Sequence, residues 1–168
     1  MAYRFLVALD VEGDCDYLLD HLAEALGTCT KPRLTLLTVL PPMPDELNRR
    51  GWFGDNQELE VAEARREEWI TQALAAAYEK LEAARDRLAR RGLNPDAIEV
   101  KVVEPAEEEP VRGAAEAIRR EAASGRYGTV VVGRGSRSMI TAWVAGQVTE
   151  RLVRKPLGAA IWAIERPS

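Results

Sequence analysis

Five short runs of apolar and β-branched residues divide this chain, and a segment with helical spacing separates each run from the next. The first run, RFLVALD at 4–10, is continuously apolar up to its final carboxylate, which is typical of a strand covered on both faces. Strands that alternate with helices indicate a parallel sheet with right-handed crossovers. We therefore predict a three-layer α/β sandwich with a five-stranded parallel sheet, its other strands lying at 33–40, 97–103, 128–133 and 158–164.

The segment after the first strand predicts a helix. It should begin at a side-chain cap, Asp14 or Asp16, and end at Gly27. Helical spacing gives this segment one apolar face, formed by Leu18, Leu19, Leu22, Ala25 and Leu26.

A much longer helical pattern runs from Asn56 to Arg91, with Gly92 as its C-cap. At about 1.5 Å per residue such a helix is about 50 Å long, whereas a typical strand spans only about 17–20 Å. Part of it must therefore overhang the sheet or be broken. Its apolar stripe is narrow and consists of Ile70, Leu74, Ala77, Leu81, Ala84 and Leu88.

The last two helices are shorter. One begins among acidic residues and Pro110, which suit the positive end of a helix dipole, and closes at Gly125. The other is QVTERLVRK at 147–155.

The strand at 97–103 alternates apolar and polar residues, which predicts a position near an edge of the sheet.

Size and composition exclude several classes of protein. A hydrophobic content of 46% over 168 residues suffices for one core, so we expect a single domain over residues 1–168. The net charge of −4 lacks the basic excess of proteins that bind nucleic acid. Without an apolar span of membrane-crossing length or a signal-peptide core, a cytoplasmic protein that does not enter membranes is expected. Cys15 and Cys29 do not have the spacing of a disulfide framework or a zinc site, which predicts unbonded thiols.

The segment VVVGRGSRSMITAWVAGQV at 130–148 leads from a strand into a glycine-rich loop. Gly133 leaves the strand and Gly146 stands directly before a helix, where backbone N–H groups could receive an anion. A tight turn that needs glycine only for its backbone angles fits these residues equally well. Arg134 and Arg137 could add positive charge to an anion site or could be solvated tips of the loop. Both interpretations stay open from these residues alone.

Several segments together resemble the universal stress protein family over nearly the whole chain. They are FLVALD near the start, LTLLTVL as the second strand, VVVG followed by a glycine thirteen residues after its own, and VTERLVRKP before the last strand. The resemblance implies a Rossmann-like fold, akin to the adenine nucleotide alpha hydrolases, with strand order 3-2-1-4-5. It also implies a regulatory domain of the stress response that binds ATP or AMP, and a homodimer that forms through the last strand.

The nucleotide-binding branch of this family carries the pattern G-x2-G-x9-G-[S/T] around the phosphates. Gly133 and Gly146 occupy the first and third glycine positions, but Ser136 holds the second, beside Gly135, and Gln147 holds the hydroxyl position. A Cβ at Ser136 narrows the room for a phosphate, and the amide at 147 has a longer arm than a hydroxyl. The match to the phosphate-binding pattern is therefore partial.

The resemblance also implies roles for residues at the other strand ends. Asp10 stands where the family has an acidic residue near the nucleotide, although a carboxylate there can also cap a turn. Glu12 adds negative charge near the phosphates, which calls for a divalent cation such as Mg²⁺, and Thr149 could supply the missing hydroxyl. The implied nucleotide-binding residues are Asp10, Val39, through its main chain, Gly133, Arg134, Gly135, Ser136, Gly146, Gln147 and Val148.

Catalytic motifs are absent from the sequence: it contains no GxSxG, HExxH or GxxxxGK[ST] segment. His21 is the single histidine and stands among polar neighbours, which predicts an exposed residue. A phosphorylation-receiver interpretation of Asp10, Glu12 and Asp14 fails, because strand three does not end in an acceptor aspartate and strand five does not end in a lysine. We expect a protein that is not an enzyme, with slow ATP hydrolysis at most.

Two functions from different classes stay open. In one, ATP orders the Gly133 loop and changes the surface of the dimer. In the other, the domain no longer binds nucleotide, as Ser136, Gln147 and Glu12 suggest, and acts by binding protein partners. The overlong helix from Asn56 offers a surface for such a partner.

Overall fold

The computed structural model describes residues 3–48, 56–134 and 147–166. Its five strands form one parallel sheet in the order β3-β2-β1-β4-β5, as the sequence predicted. The edge position of β3 is confirmed as well. The strands are β1 (Arg4–Ala8), β2 (Arg33–Val39), β3 (Ile98–Val103), β4 (Thr129–Arg134) and β5 (Ala160–Glu165).

The order of the strands places a crevice at one point of the sheet. Strand β1 is central, with β2 on one side and β4 on the other, so the order of the strands reverses between β1 and β4. In open α/β sheets, ligands bind beyond the carboxyl ends of the strands at such a switch point. The expected binding position therefore lies where β1 and β4 end, at Ala8 and Arg134.

Helices cover both faces of the sheet because alternate side chains of β1 point in opposite directions. Phe5, Val7 and Leu9 belong to the core under helices α1 (Asp16–Leu26) and α3 (Asn56–Arg90). On the opposite face, Leu6 and Ala8 lie in a second core under α4 (Pro110–Ala122) and α5 (Gln147–Val153). The described residues also form the short helix α2 (Asp45–Asn48) and a 3-10 turn at Pro95–Ala97.

Helix α3 is continuous over 35 residues, which decides between the two predicted alternatives in favour of an overhang. Its buried residues are Ala77, Leu81, Ala84 and Leu88, all in the second half of the helix. The first half has little contact with the sheet and meets the short helix α2, where the Arg66 Nε donates to the Leu47 carbonyl oxygen. Within the described residues, no helix combines the length and the apolar character that crossing a membrane requires.

Two details of α1 differ from the prediction. Ala25 is exposed and Ala23 is buried instead, because Ala23 lies one turn after Leu19 on the face that meets the sheet. The N-cap is Cys15, which makes no side-chain capping bond, so neither Asp14 nor Asp16 caps the helix in the predicted way. The Asp14 carboxylate instead accepts the Asp16 N–H at 3.1 Å, a turn that precedes the helix.

Candidate functional site

A cavity of about 70 Å³ opens at the carboxyl ends of β1 and β2 and brings Asp10 and Val39 together. One wall is formed by alanines of α3, Ala73, Ala76 and Ala77, whose short side chains leave the space open. Small-molecule sites usually measure about 300–1,000 Å³, so this cavity can take one ring and not a whole nucleotide. The loops after β1, β2 and β3 contribute Val11, Glu12, Leu40, Pro41, Pro42 and Pro105, strand β2 contributes Thr38, and helix α4 contributes Pro110 and Ala114.

Asp10 is buried at the edge of this cavity, with 8% of its surface exposed. Its Oδ1 accepts the Glu12 N–H at 3.2 Å, and its carbonyl oxygen accepts the Gly13 N–H at 3.0 Å. These bonds confirm the interpretation that Asp10 caps the turn after β1. Asp10 also forms part of the cavity wall, so capping the turn is compatible with a position next to a ligand.

Thr38 is a buried polar residue that the sequence did not single out. Its hydroxyl donates to the Leu9 carbonyl oxygen at 2.9 Å and ties the end of β2 to the chain that leaves β1. Since a strand threonine is ordinarily read as a β-former, no signal in the sequence distinguished it. The bond fixes the relative positions of Asp10 and Val39, because these are the residues directly after Leu9 and Thr38.

Gly133 is in contact with a tyrosine from α1. A Cβ built on Gly133 would lie 2.5 Å from the Tyr17 hydroxyl oxygen and 3.1 Å from Leu18 Cδ1, so any side chain at this position would require the Tyr17 ring to shift. The Tyr17 hydroxyl donates to the Arg134 carbonyl oxygen at 3.3 Å. The absent side chain at Gly133 is thus explained by packing against Tyr17, a residue that the sequence analysis missed.

A second cavity of only about 10 Å³ lies between the end of β1 and Gly133. Asp10, Asp14, Cys15 and Tyr17 are among the residues that line it. Burial raises the pKa of the Tyr17 hydroxyl, and the neighbouring Cys15 and Asp14 raise it further. Burial likewise raises the pKa of the Cys15 thiol to about 11, with Asp16 and Asp14 adding to the shift. Both groups are therefore neutral at physiological pH.

Helix α5 contributes one hydroxyl to the end of β4. Thr149 is 5% exposed, and its Oγ1 donates to the Gly133 carbonyl oxygen at 3.3 Å. Gln147 begins the helix and is exposed, whereas the Val148 side chain is buried in the core. Any contact of Val148 with a ligand would have to come from its main chain. Gly135, Ser136, Arg137 and Gly146 lie outside the described residues.

Three exposed ion pairs surround this end of the sheet. Glu12 pairs with Lys80 of α3 at 2.7 Å, and Asp14 pairs with Arg166 at 2.9 Å. Arg134, one of the predicted nucleotide-binding residues, pairs with Glu165 of β5 at 3.1 Å. The negative charge of Glu12 is therefore partly neutralised by Lys80, which the sequence analysis did not anticipate.

Within the described parts of the chain, no group of three or more acidic, cysteine or histidine side chains is placed to hold a metal ion.

Comparison with known proteins gives a match in sequence and in structure. Residues 1–156 match the sequence profile of the universal stress protein family. Hypothetical protein MJ0577, whose biochemical function was assigned from its structure, has a similar fold, with a TM-score of 0.65 and 19% identity over 100% of this chain and 99% of that one. No curated protein matches the chain.

Two further similar structures contain nucleotides. A universal stress protein from Archaeoglobus fulgidus in complex with dAMP has a TM-score of 0.58 and 15% identity, with 96% of this chain and 97% of that chain covered. A universal stress protein in complex with cAMP has a TM-score of 0.55 and 18% identity, with 98% of each chain covered. At such identities the likeness shows the shared fold.

Proposed function

Because this chain belongs to the universal stress protein family, we propose that it is a cytoplasmic regulatory domain of the stress response that binds an adenine nucleotide. The base would occupy the cavity between Asp10 and Val39, and the phosphate end would point toward Gly133. The role is one of binding, with nucleotide hydrolysis slow or absent. The observation that carries the proposal is the cavity itself, which opens beyond the carboxyl ends of the strands on the β2 side of the point where strand order reverses.

The chemistry of the cavity fits a nucleoside. Alanines and prolines provide apolar walls for a flat ring, and the Asp10 carboxylate lies at the edge. A carboxylate has about four acceptor positions on its two oxygens, so it can accept a ribose hydroxyl in addition to the Glu12 N–H. Similar proteins that hold dAMP and cAMP support an adenine nucleotide as the guest.

Calorimetric titration of the purified protein with AMP and ATP, with and without Mg²⁺, tests this proposal. Ala73→Leu should fill the cavity and weaken binding at least about tenfold, because a leucine enters the volume that the base needs. Ala75→Leu is the matched control: it makes the same change on an exposed face of α3 and should leave binding unchanged. Absence of heat with every nucleotide, at millimolar concentrations, would exclude the proposal.

A second candidate is a homodimer that acts through protein partners without nucleotide. Strand β5 is an edge strand with exposed apolar residues, Trp162 being 37% exposed, and an uncovered edge of this kind favours pairing with a second copy. The Tyr17 contact favours this candidate as well, since it explains Gly133 without any ligand. Mass spectrometry of the protein under native conditions would separate the candidates, since a copurified nucleotide contradicts the second.

A further inference from the structure

We propose that Thr38 is a positioning residue, whose hydroxyl places the main chain of β2 for the base of the nucleotide. The inference rests on the proposed function and adds to it a side chain that the sequence did not single out. Two observations carry it: the hydrogen bond of the Thr38 hydroxyl and the direction in which the Val39 peptide groups point.

The first observation is the way in which β1 and β2 separate at the cavity. Within the described residues, their backbone pairing extends to the Leu9 N–H, which donates to the Leu37 carbonyl oxygen at 2.8 Å. A parallel ladder would continue with a bond from the Val39 N–H to the Leu9 carbonyl oxygen. That oxygen accepts the Thr38 hydroxyl instead, at 2.9 Å. The side chain thus holds the two chains together at the point where the ladder ends.

The second observation is the direction of the Val39 peptide groups. The Leu40 N–H points toward β3, where it donates to the Val103 carbonyl oxygen at 2.9 Å. Because successive residues of a strand direct their N–H and C=O groups to opposite sides, those of Val39 point toward β1. There the chain has turned away, since the Asp10 carbonyl oxygen accepts the Gly13 N–H at 3.0 Å. Val39 and Asp10 both line the cavity, so a main-chain donor and acceptor face the space in which the base would lie.

The burial of Thr38 makes its bond hard to replace. The residue is 1% exposed, so loss of the hydroxyl leaves the Leu9 carbonyl oxygen as a buried acceptor without its partner. The adjacent ends of β1 and β2 are then free to shift, and such a shift moves the Asp10 carboxylate relative to the Val39 main chain. We therefore expect the Thr38 hydroxyl to affect the affinity for nucleotide more than a buried hydroxyl elsewhere on β2 does.

Calorimetric titration with AMP tests the inference on variants of β2. Thr38→Val keeps the shape of the side chain but removes the donor, and we expect it to weaken AMP binding at least about fivefold. Thr38→Ser keeps the hydroxyl and should stay within about twofold of the parent protein.

Thr35→Val is the matched control. It removes another buried hydroxyl of the same strand, but at the amino end of the sheet, where Thr35 accepts a hydrogen bond from Tyr127 at 3.3 Å. Thermal denaturation should show a loss of stability in both valine variants, whereas the affinity for AMP should fall only in Thr38→Val. An equal loss of affinity in Thr35→Val would reduce the effect to general destabilisation and contradict the inference.

The preference between two bases gives a readout that stability alone does not move. An N–H donor beside a C=O acceptor matches adenine, whose N1 accepts and whose 6-amino group donates, whereas hypoxanthine presents the opposite pattern. The parent protein should therefore bind AMP more tightly than IMP, and Thr38→Val should narrow this ratio because it displaces Val39. A ratio as large in Thr38→Val as in the parent contradicts the inference.

The remaining outcomes separate this inference from the proposed function. Thr38→Val that binds AMP as tightly as the parent overturns the inference and leaves the proposed function intact. If Thr38→Val lacks a cooperative thermal transition, Thr38→Cys takes its place, since a thiol is a weak donor, and parent-like binding by that variant is then the overturning result. Failure of the parent protein to bind AMP removes the proposed function and this inference with it.

Discussion

The two ends of the sheet use charge in opposite ways. At the amino end, one carboxylate, Glu121, is 10% exposed and receives three donors: the Lys101 ammonium at 2.6 Å, the Tyr127 hydroxyl at 2.8 Å and the Arg126 guanidinium at 3.0 Å. Tyr127 continues the network with a bond of 3.3 Å to the Thr35 hydroxyl. At the carboxyl end, the pairs of Glu12, Asp14 and Arg134 are spread out and largely exposed.

The difference indicates that the charges of the amino end stabilise the fold, whereas those of the carboxyl end are free to rearrange around a ligand. A buried carboxylate with several donors has one favourable geometry, and losing a partner leaves charge or polar groups unsatisfied. An exposed pair contributes little to stability and can exchange one partner for another. A ligand can therefore rearrange the carboxyl end at small cost, whereas the amino end holds β2, β3 and α4 in place.

Replacement of Glu121 should have the largest effect. Glu121→Gln leaves the buried Tyr127 and the partly exposed Lys101 without a charged acceptor, and we expect a loss of about 2–3 kcal/mol in the free energy of unfolding. Chemical denaturation measures it. Glu116→Gln on the same helix is the control, because Glu116 is 34% exposed and its contacts with Arg119 and Arg120 are long, at 3.4 and 3.9 Å. Arg119 also keeps its bonds to backbone carbonyl oxygens, so the effect should stay below about 0.5 kcal/mol. Equal effects of the two variants would break the comparison.

A smaller loss is expected from Gly133→Ala at the carboxyl end. The new Cβ meets the Tyr17 hydroxyl oxygen, and we expect about 1–2 kcal/mol of destabilisation, in the lower part of the range for overpacking because the Tyr17 ring can shift. Combined with Tyr17→Phe, which removes the clashing oxygen, the change should cost less than it does alone. A double-mutant cycle measures this coupling, and strictly additive effects would contradict the contact.

Acid should weaken the amino end in particular. Burial alone would raise the pKa of Glu121, but hydrogen bonds from Lys101 and Tyr127 outweigh it and hold the pKa below the ordinary value of 4.5. The unfolded chain thus binds this proton more readily, so the stabilisation is complete above about pH 4.5 and disappears as the pH falls through the lower folded value. Stability measured against pH should fall less steeply in Glu121→Gln than in the parent protein. The stability of the variant should still depend on pH, because the hydrogen bond from Arg87 also lowers the pKa of Asp20.

The smallest effect belongs to an exposed pair of the carboxyl end. Glu12→Gln breaks the contact with Lys80, and because the two side chains are 44% and 43% exposed, we expect less than about 1 kcal/mol of change in stability. Thermal denaturation of the variant beside Glu121→Gln gives the comparison directly. A loss as large as that of Glu121→Gln would mean that the carboxyl end is structural as well.

The strands and their order could be predicted because they depend on local patterns and on a family resemblance. For α3 the sequence predicted its length but left an overhang and a break as alternatives. Tyr17 could not be predicted, since its partner, Arg134, is 117 positions away and nothing near Tyr17 in the sequence indicates the contact. The wrong prediction that Ala25 and not Ala23 is buried has a similar cause. Both alanines fit a helical face, and only the packing of α1 against the sheet decides which of them is buried. Asp10 and Val39 are brought together as predicted, whereas the ion pair of Arg134 depends on the register of β4 with β5.

The length of α3 also divides the helix by local stability. Residues 56–72 rest chiefly on hydrogen bonds within the helix, and helices without tertiary packing are marginal in water. The turns that contain Leu81 and Leu88 are packed into the core, and we expect them to open only when the whole domain unfolds. Amide protons before Ala73 should consequently exchange with deuterium through local fraying, orders of magnitude sooner than those around Leu81, and the boundary between fast and slow exchange should fall at the alanine wall of the cavity.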